Sequence, residues 1–198
     1  MKKLIGLVLC FCILLTFPVS AACTYRVVSG DTLWKIAARY KIGISEIISA
    51  NKNLKNPNII NAGDTIEVPT ADPSVQEYEA EVIRLVNDIR KSYGLGTLTS
   101  NWELSRVARY KSQDMHDNRY FSHTSPTYGS PFNMMKSFGI TYRSAGENIA
   151  MGYKTPKAVV DGWMNSSGHR ANILNSSFKQ IGVGYVADGN YWTQMFIG

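Results

Sequence analysis

The spacing of hydrophobic positions changes several times along this chain, and each change marks a different element. Leu4 to Phe17 (LIGLVLCFCILLTF) is a 14-residue apolar run behind Lys2 and Lys3. From Tyr25 to Val28 the pattern is short and strand-like, stopped by Ser29-Gly30. Leu33, Ile36, Ala37 and Tyr40 then recur at helical spacing, with Asp31 or Thr32 as the cap and Gly43 as the break. Ile44, Ile47, Ile48 and Asn51 trace a second, shorter helix. Asn56-Pro57-Asn58 and Ala62-Gly63-Asp64 are turn-forming, and Thr65 to Val68 alternates as a strand ending at Pro69. The order β-α-α-β predicts a small module with little core, to be filled by Trp34 and the isoleucines.

Residues 70–77 read as a brief linker. Ser74 and Glu77 have capping-box spacing ahead of a helix whose stripe is Val82, Leu85, Val86 and Ile89, ended by Gly94. Ser100 and Glu103 repeat the device before Leu104, Val107, Ala108 and Met115. Ser130-Pro131 and Thr155-Pro156 open two more helices. The tail switches to period two. Ile181, Val183 and Tyr185 alternate, Asp188-Gly189 turns the chain, and Tyr191 to Ile197 returns as the partner strand. Helices first and a hairpin last predict an α+β layer structure.

Composition supports a globular protein, and residues 1–22 add export. At 44% hydrophobic and 18% charged residues, disorder is excluded. Residues 1–22 read as an export signal, with small residues around Ser20-Ala21-Ala22 for cleavage. The apolar run is shorter than the ~20 residues of a membrane span, the alternative reading. Removing this leader lowers the +6 formal charge by Lys2 and Lys3, and no basic run remains, so nucleic acid is not an expected partner. Cys10 and Cys12 leave with it. Cys23 remains alone, unable to form an internal disulfide. A lipid on Cys23 is the other possibility, against which Ser20 departs from the usual lipobox.

Tyr25-x-Val27-x-x-Gly30-Asp31-Thr32-Leu33-Trp34-Lys35-Ile36-Ala37, Ile47 to Asn51, and Ile60-x-x-Gly63-Asp64-x-Ile66-x-Val68-Pro69 together resemble a LysM domain over residues 24–69. The resemblance implies binding of peptidoglycan or another N-acetylglucosamine polymer. Gly30, Asp31, Thr32 and Leu33 on one loop, and Asn58, Ile59 and Ile60 on another, are the candidate glycan contacts. The residues allow a purely structural reading as well: a turn, a helix cap and core isoleucines. Trp34-Lys35-Ile36-Ala37 is further similar to the LysM unit of spore coat assembly proteins, which makes spore coat proteins candidate partners.

Phe121-Ser122-His123, Gly146-Glu147-Asn148-Ile149-Ala150, Gly162 to Arg170, and Trp192 to Phe196 resemble the CAP (SCP-like) superfamily over residues 78–198. That implies an α-β-α sandwich with His123, Glu147 and His169 lining a cavity. The family's second glutamate falls near Ser166, where this chain has no carboxylate. Two imidazoles and one carboxylate could hold a divalent metal such as zinc, or form a buried hydrogen-bond network. Their spacings of 24 and 22 residues match no local metal motif. Ser122, Ser166 and Ser167 adjoin this set, but no Gly-x-Ser-x-Gly sequence is present. His116 reads as a solvated helix histidine. Tyr142, Tyr153 and Trp163 are candidates to line a groove.

The expected protein is therefore secreted and associated with the cell wall or spore surface. Its LysM module binds the polymer, and its CAP domain has a binding role. The competing expectation is a metal-assisted hydrolase of wall peptide or amide bonds using His123, Glu147 and His169.

Overall fold

The computed structural model describes residues 22–198. The predicted leader lies outside the described residues except for Ala22, which opens the first strand. Among the described residues no helix is long and apolar enough to cross a membrane.

The N-terminal module has the expected βααβ order. It runs β1 (Ala22–Arg26), α1 (Leu33–Tyr40), α2 (Ile44–Ala50) and β2 (Thr65–Pro69). The two strands pair antiparallel, with Arg26 opposite Thr65. Thr32 caps α1 by accepting from the Lys35 amide at 3.1 Å. Leu33, Ile36, Ala37, Ile47, Ile66 and Val68 make the core. Trp34 does not join it. Its side chain is 68% exposed, because it projects about a quarter turn off the stripe formed by Leu33, Ile36 and Ala37. Asn51 ties α2 to β2 instead, donating to Glu67 O and accepting from Glu67 N.

Only Thr70 to Asp72 separate β2 from the next helix, α3 (Pro73–Ser92). Asp72 is its cap and accepts from the Ser74 amide at 2.8 Å. The helix thus starts inside the segment read as linker, and the Ser74–Glu77 capping box does not form. A carboxylate followed by proline is the stronger start signal. The Ser100–Glu103 box is likewise displaced. Asn101 caps α4 (Trp102–Asp117) by accepting from the Leu104 amide.

The C-terminal domain is the expected α-β-α sandwich. After β3 (Thr99–Ser100) and α4 come α5 (Pro131–Ser137), β4 (Ala145–Met151), α6 (Pro156–Asn165), α7 (Ser167–Ile173), β5 (Gln180–Val186) and β6 (Tyr191–Ile197). The sheet order is β3-β5-β6-β4, and β5 and β6 form the predicted hairpin. The strand β4 was not foreseen, since its Gly-Glu-Asn-Ile-Ala run does not alternate; it pairs antiparallel with β6 as an edge strand.

One face of the sheet carries Ile181, Val183, Trp192 and Phe196, packed against Val82 and Val86 of α3, Trp163 of α6 and Ile173 of α7. The other carries Met195 and Ile197 against α4 and α5. Here α4 lies almost on the backbone of β5. A methyl group on Gly182 would sit 2.4 Å from Leu104 C, and one on Gly184 2.1 Å from Arg109 N. Buried ionic groups tie the layers together. Glu79 of α3 accepts a bidentate contact from Arg109 of α4 and the amide of Tyr185. Arg90 donates to the carbonyls of Ile173 and Asn175, satisfying the end of α7.

Candidate functional site

The loop after α4 delivers His123, and α4 itself holds that loop. Lys111 is fully buried, and its Nζ donates to the carbonyls of Ser122 at 2.8 Å and His123 at 3.1 Å, and to Tyr120 Oη. Burial pushes the ammonium pKa down, while the charges of Glu147 and Asp114 oppose that shift. One turn on, Asp114 accepts from Thr127, Ser125, Asn118 and Tyr120. This loop is therefore fixed from its base.

The edge strand β4 supplies the next groups, and its motif now has a physical reason. Gly146 lets Phe178 and Asn172 approach, as a Cβ there would lie 2.9 Å from the Phe178 ring. Glu147 turns to the α4 side and accepts from His123 Nδ1 at 2.7 Å. Its side chain is 1% exposed against 51% for His123. Glu147 Oε2 is buried without a hydrogen-bond partner. Asn148 turns to the opposite face, donating to His169 O and Gln194 Oε1 and accepting from Asn172 Nδ2.

His169 sits on α7, which follows α6 with only Ser166 between them. Burial lowers its pKa, and the charge of His123 lowers it further. It lines a cavity of about 300 Å³ with Phe121, Ile149, Tyr153, Trp163 and Ser166. Trp163 Nε1 donates to Ile149 O, and Asn172 Nδ2 to Glu147 O, so α6 and α7 side chains cover the outer edge of β4. Of the trio only His169 lines this cavity; the His123–Glu147 pair lies outside its lining, near enough for the charge of His123 to act on the His169 ring.

The structure joins His123 to Glu147 by a hydrogen bond, while His169 is related to this pair through the charge of His123 and not through a hydrogen bond from Glu147. Among the described residues no three His, Cys, Asp or Glu stand where they could hold a metal ion. His123 Nδ1 is already hydrogen-bonded to Glu147 Oε1, and the Glu147 carboxylate is hydrogen-bonded to that imidazole alone. The pair is thus an imidazole oriented through Nδ1 by a carboxylate, with Nε2 making no hydrogen bond among the described residues. Ser122 Oγ is used inside its loop, accepting from the Thr124 amide. Tyr153 and Trp163 line the cavity as expected, whereas Tyr142 packs with α5. His116 is not a free solvated ring. It links Asp117 at 2.7 Å to Asp188 at 3.0 Å.

The sequence reading missed Lys111, Asp114, Asn172 and Gln194. Lys111 had a signal: it falls on the apolar stripe Leu104, Val107, Ala108, Met115 of α4, where a charge requires partners.

The candidate glycan contacts divide. Leu33 is core. The Asp31 carboxylate accepts from Tyr25 Oη at 2.7 Å and the Val28 amide, and pairs with Arg39. Hydrogen bonds from Tyr25 and Val28 hold its pKa down. Asp31 and Thr32 therefore shape the loop. Gly30 has φ +85° and its carbonyl accepts from Lys35 Nζ. Asn58 donates its amide to Asn56 Oδ1. Ile60 is half-buried on the core, but Ile59 is 62% exposed, so it is not the core residue of the structural reading. The Val27 amide donates to Asp64 O and the Gly63 amide to Val27 O. The 27–32 and 51–64 loops thus meet the sheet at the same end, and Val28 and Ile59 on them, with Trp34 in the first turn of α1, are exposed.

A three-layer sandwich with a cleft at the edge of its sheet, behind a βααβ module, is the architecture of the SCP class of domain. Residues 83–196 match the cysteine-rich secretory protein (CAP) family, and the chain belongs to it. Residues 25–69 match the LysM domain. The chain is 54% identical over 154 residues to the protein YkwD of Bacillus subtilis (strain 168), covering 78% of this chain and 60% of that one. It is 53% identical over 45 residues to the secreted LysM effector ECP6 of Passalora fulva, covering 23% of this chain and 19% of the effector. The structure is similar to an extracellular protein containing an SCP domain from Bacillus anthracis str. Ames. That match has a TM-score of 0.61 and 34% identity, over 68% of this chain and 46% of that one. The chain thus spans less than two thirds of the length of these relatives.

Proposed function

We propose that this is a secreted, wall-associated protein that binds peptidoglycan through its LysM module and presents the CAP cleft as a binding site. The carrying observation is the LysM end where two loops meet. Its loop backbone is held rigid by Asp31, Thr32 and Lys35, while Val28, Trp34 and Ile59 stay exposed. A pyranose offers an apolar C–H face and an amide, and this surface supplies apolar and backbone partners for both. Similarity to an extracellular SCP protein supports the location. The spore surface is one such location, and it rests on the Trp34 to Ala37 resemblance. For the CAP cleft, the His169 ring among the walls of Phe121, Ile149, Tyr153 and Trp163, with the His123–Glu147 pair outside the lining but close enough to act on His169 through charge, suits a ligand carrying a hydrogen-bonding group and a small apolar group.

The test is sedimentation of residues 23–198 with insoluble peptidoglycan. Binding should be competed by soluble N-acetylglucosamine oligomers. Protein that stays in the supernatant sinks the LysM half. Release of muropeptides, abolished by His123→Ala, would replace the binding role of the CAP domain by a hydrolytic one.

A further inference from the structure

The outer face of α4 carries a contact to which neither module's own chemistry assigns a role. Arg106 Nε donates to Glu46 Oε1 at 2.6 Å and Nη2 to Glu46 Oε2 at 3.0 Å, with Ser45 Oγ at 3.2 Å. Glu46 belongs to α2 of the LysM module. The two side chains are 18% and 22% exposed, so this bidentate pair is shielded from water far more than an ordinary surface pair. The guanidinium also lies over the rings of Tyr110 at 5.5 Å and Phe138 at 5.2 Å. Burial works against the Glu46 charge, yet hydrogen bonds from Arg106 and Ser45 outweigh it and hold the carboxyl below its usual range.

Gly43 supports the same contact from the LysM side. Its φ of −80° is open to any residue, so no backbone demand explains the glycine. The glycine leaves room for the pair itself: a Cβ there would lie 2.1 Å from both Arg106 Nη2 and Glu46 Oε2, so these two side-chain ends would have to move apart from their present positions. Beside this pair, Tyr40, Lys41 and Ile42 face Ala80, Ile83 and Trp102 across a cavity of about 170 Å³. The connection between modules is only Thr70 to Asp72. The glycan loops lie elsewhere: α1 begins beside them and carries the chain about 12 Å on before the docked turn.

We infer that the LysM module is latched to the CAP domain by Arg106 as one rigid body, so that a polymer held at the outer loops fixes the direction of the CAP cleft. The polymer half rests on the function proposed above. The rigid path is continuous. Glu46 grips Arg106 on α4; Lys111 and Asp114, on the same helix, hold the His123 loop; Gly182 and Gly184 seat α4 on the sheet.

Residual dipolar couplings of labelled residues 23–198 test this. In the wild type one alignment tensor should fit the amides of both modules. Arg106→Ala should require two tensors and let the LysM module tumble faster. Glu46→Gln should do the same from the other side, and Gly43→Ala should shift the Arg106 side-chain resonances as the pair rearranges. Amide shifts away from the contact should stay in place in each variant, showing that both modules remain folded. A wild type that needs two tensors overturns the rigid body. Arg106→Ala and Glu46→Gln variants that keep one tensor overturn Arg106 as the latch. Adding chitohexaose should shift amides at 28–34 and 58–60 without changing the tensor; absence of any shift overturns the polymer half and leaves the latch standing.

Discussion

Lys111 Nζ lies 3.1 Å from the carbonyl oxygen of His123, so a fully buried ammonium holds the backbone of the residue paired with Glu147. The exposed half of the dyad is thus positioned from inside the sandwich, twelve residues upstream in sequence. The loop between them has few apolar anchors of its own, and its order depends on polar contacts made by α4.

Replacing Lys111 by Met keeps most of the side-chain volume and removes the three donor contacts. The carbonyls of Ser122 and His123 lose a buried donor, at a cost of about 2–4 kcal/mol. Hydrogen exchange should rise in residues 120–129 while the β5 and β6 amides stay protected. A variant with unchanged exchange in this loop would show that other contacts hold it.

Asp114 adds a pH dependence to the same loop. Burial pushes its pKa up, but hydrogen bonds from Thr127, Tyr120 and Ser125 outweigh that and hold the carboxyl below its ordinary value. A carboxyl depressed on folding stabilises the protein above its unfolded pKa of ~3.9, and that contribution is lost as pH falls through the folded value. Asp114→Asn should therefore cost about 2–3 kcal/mol at neutral pH. Urea titrations of variant and wild type should converge below pH ~4. Parallel stability curves down to the acid limit would contradict the charged role of Asp114.

Much of this architecture was legible from periodicity and from the motifs. Val82 and Val86, Leu104 to Met115, and Ile181 to Tyr185 are buried where their spacing put them. The errors have local causes. In a module with so little core Trp34 is the expected filling, yet Trp34 lies off the α1 stripe, and burial follows helical angle before residue type. The β4 strand escaped because Gly146, Asn148 and Ala150 serve close packing and hydrogen bonding in place of an apolar alternation. The trio His123, Glu147 and His169 came from resemblance. Its actual wiring, with Glu147 on His123 and Asn148 on the His169 carbonyl, depends on which face of β4 each residue takes.

Gly184 shows how close the α4 layer sits. Alanine there would place a methyl group 2.1 Å from Arg109 N, against helix backbone that cannot rotate away. Gly184→Ala should destabilise the domain by about 1–3 kcal/mol or more and lower its melting temperature. A melt within error of the wild type would mean that α4 can ride out from the sheet.

Trp34→Ala should separate stability from polymer binding. The side chain is exposed and outside the LysM core cluster, so its removal should change stability by no more than about 0.5 kcal/mol. If it stacks on sugar, affinity for chitohexaose should fall at least about tenfold, and Trp34→Phe should recover part of it. Equal affinity in wild type and alanine variant would remove Trp34 from the binding surface.

His169 provides a readout of the cleft that needs no ligand. Burial holds its pKa below the ordinary 6.5, and the positive charge of His123 adds to that shift. His169 should titrate below 6.5 in an NMR series, and His123→Ala should move it back up while burial keeps it from returning fully. The stability consequence has the opposite sign to that of a salt-bridged histidine. The folded state binds its proton later than the unfolded chain, so stability declines as pH drops below ~6.5 and levels off once the folded pKa is passed. His169→Gln should remove that decline. If the His169 midpoint does not respond to His123→Ala, the two rings do not sense each other across the edge of β4.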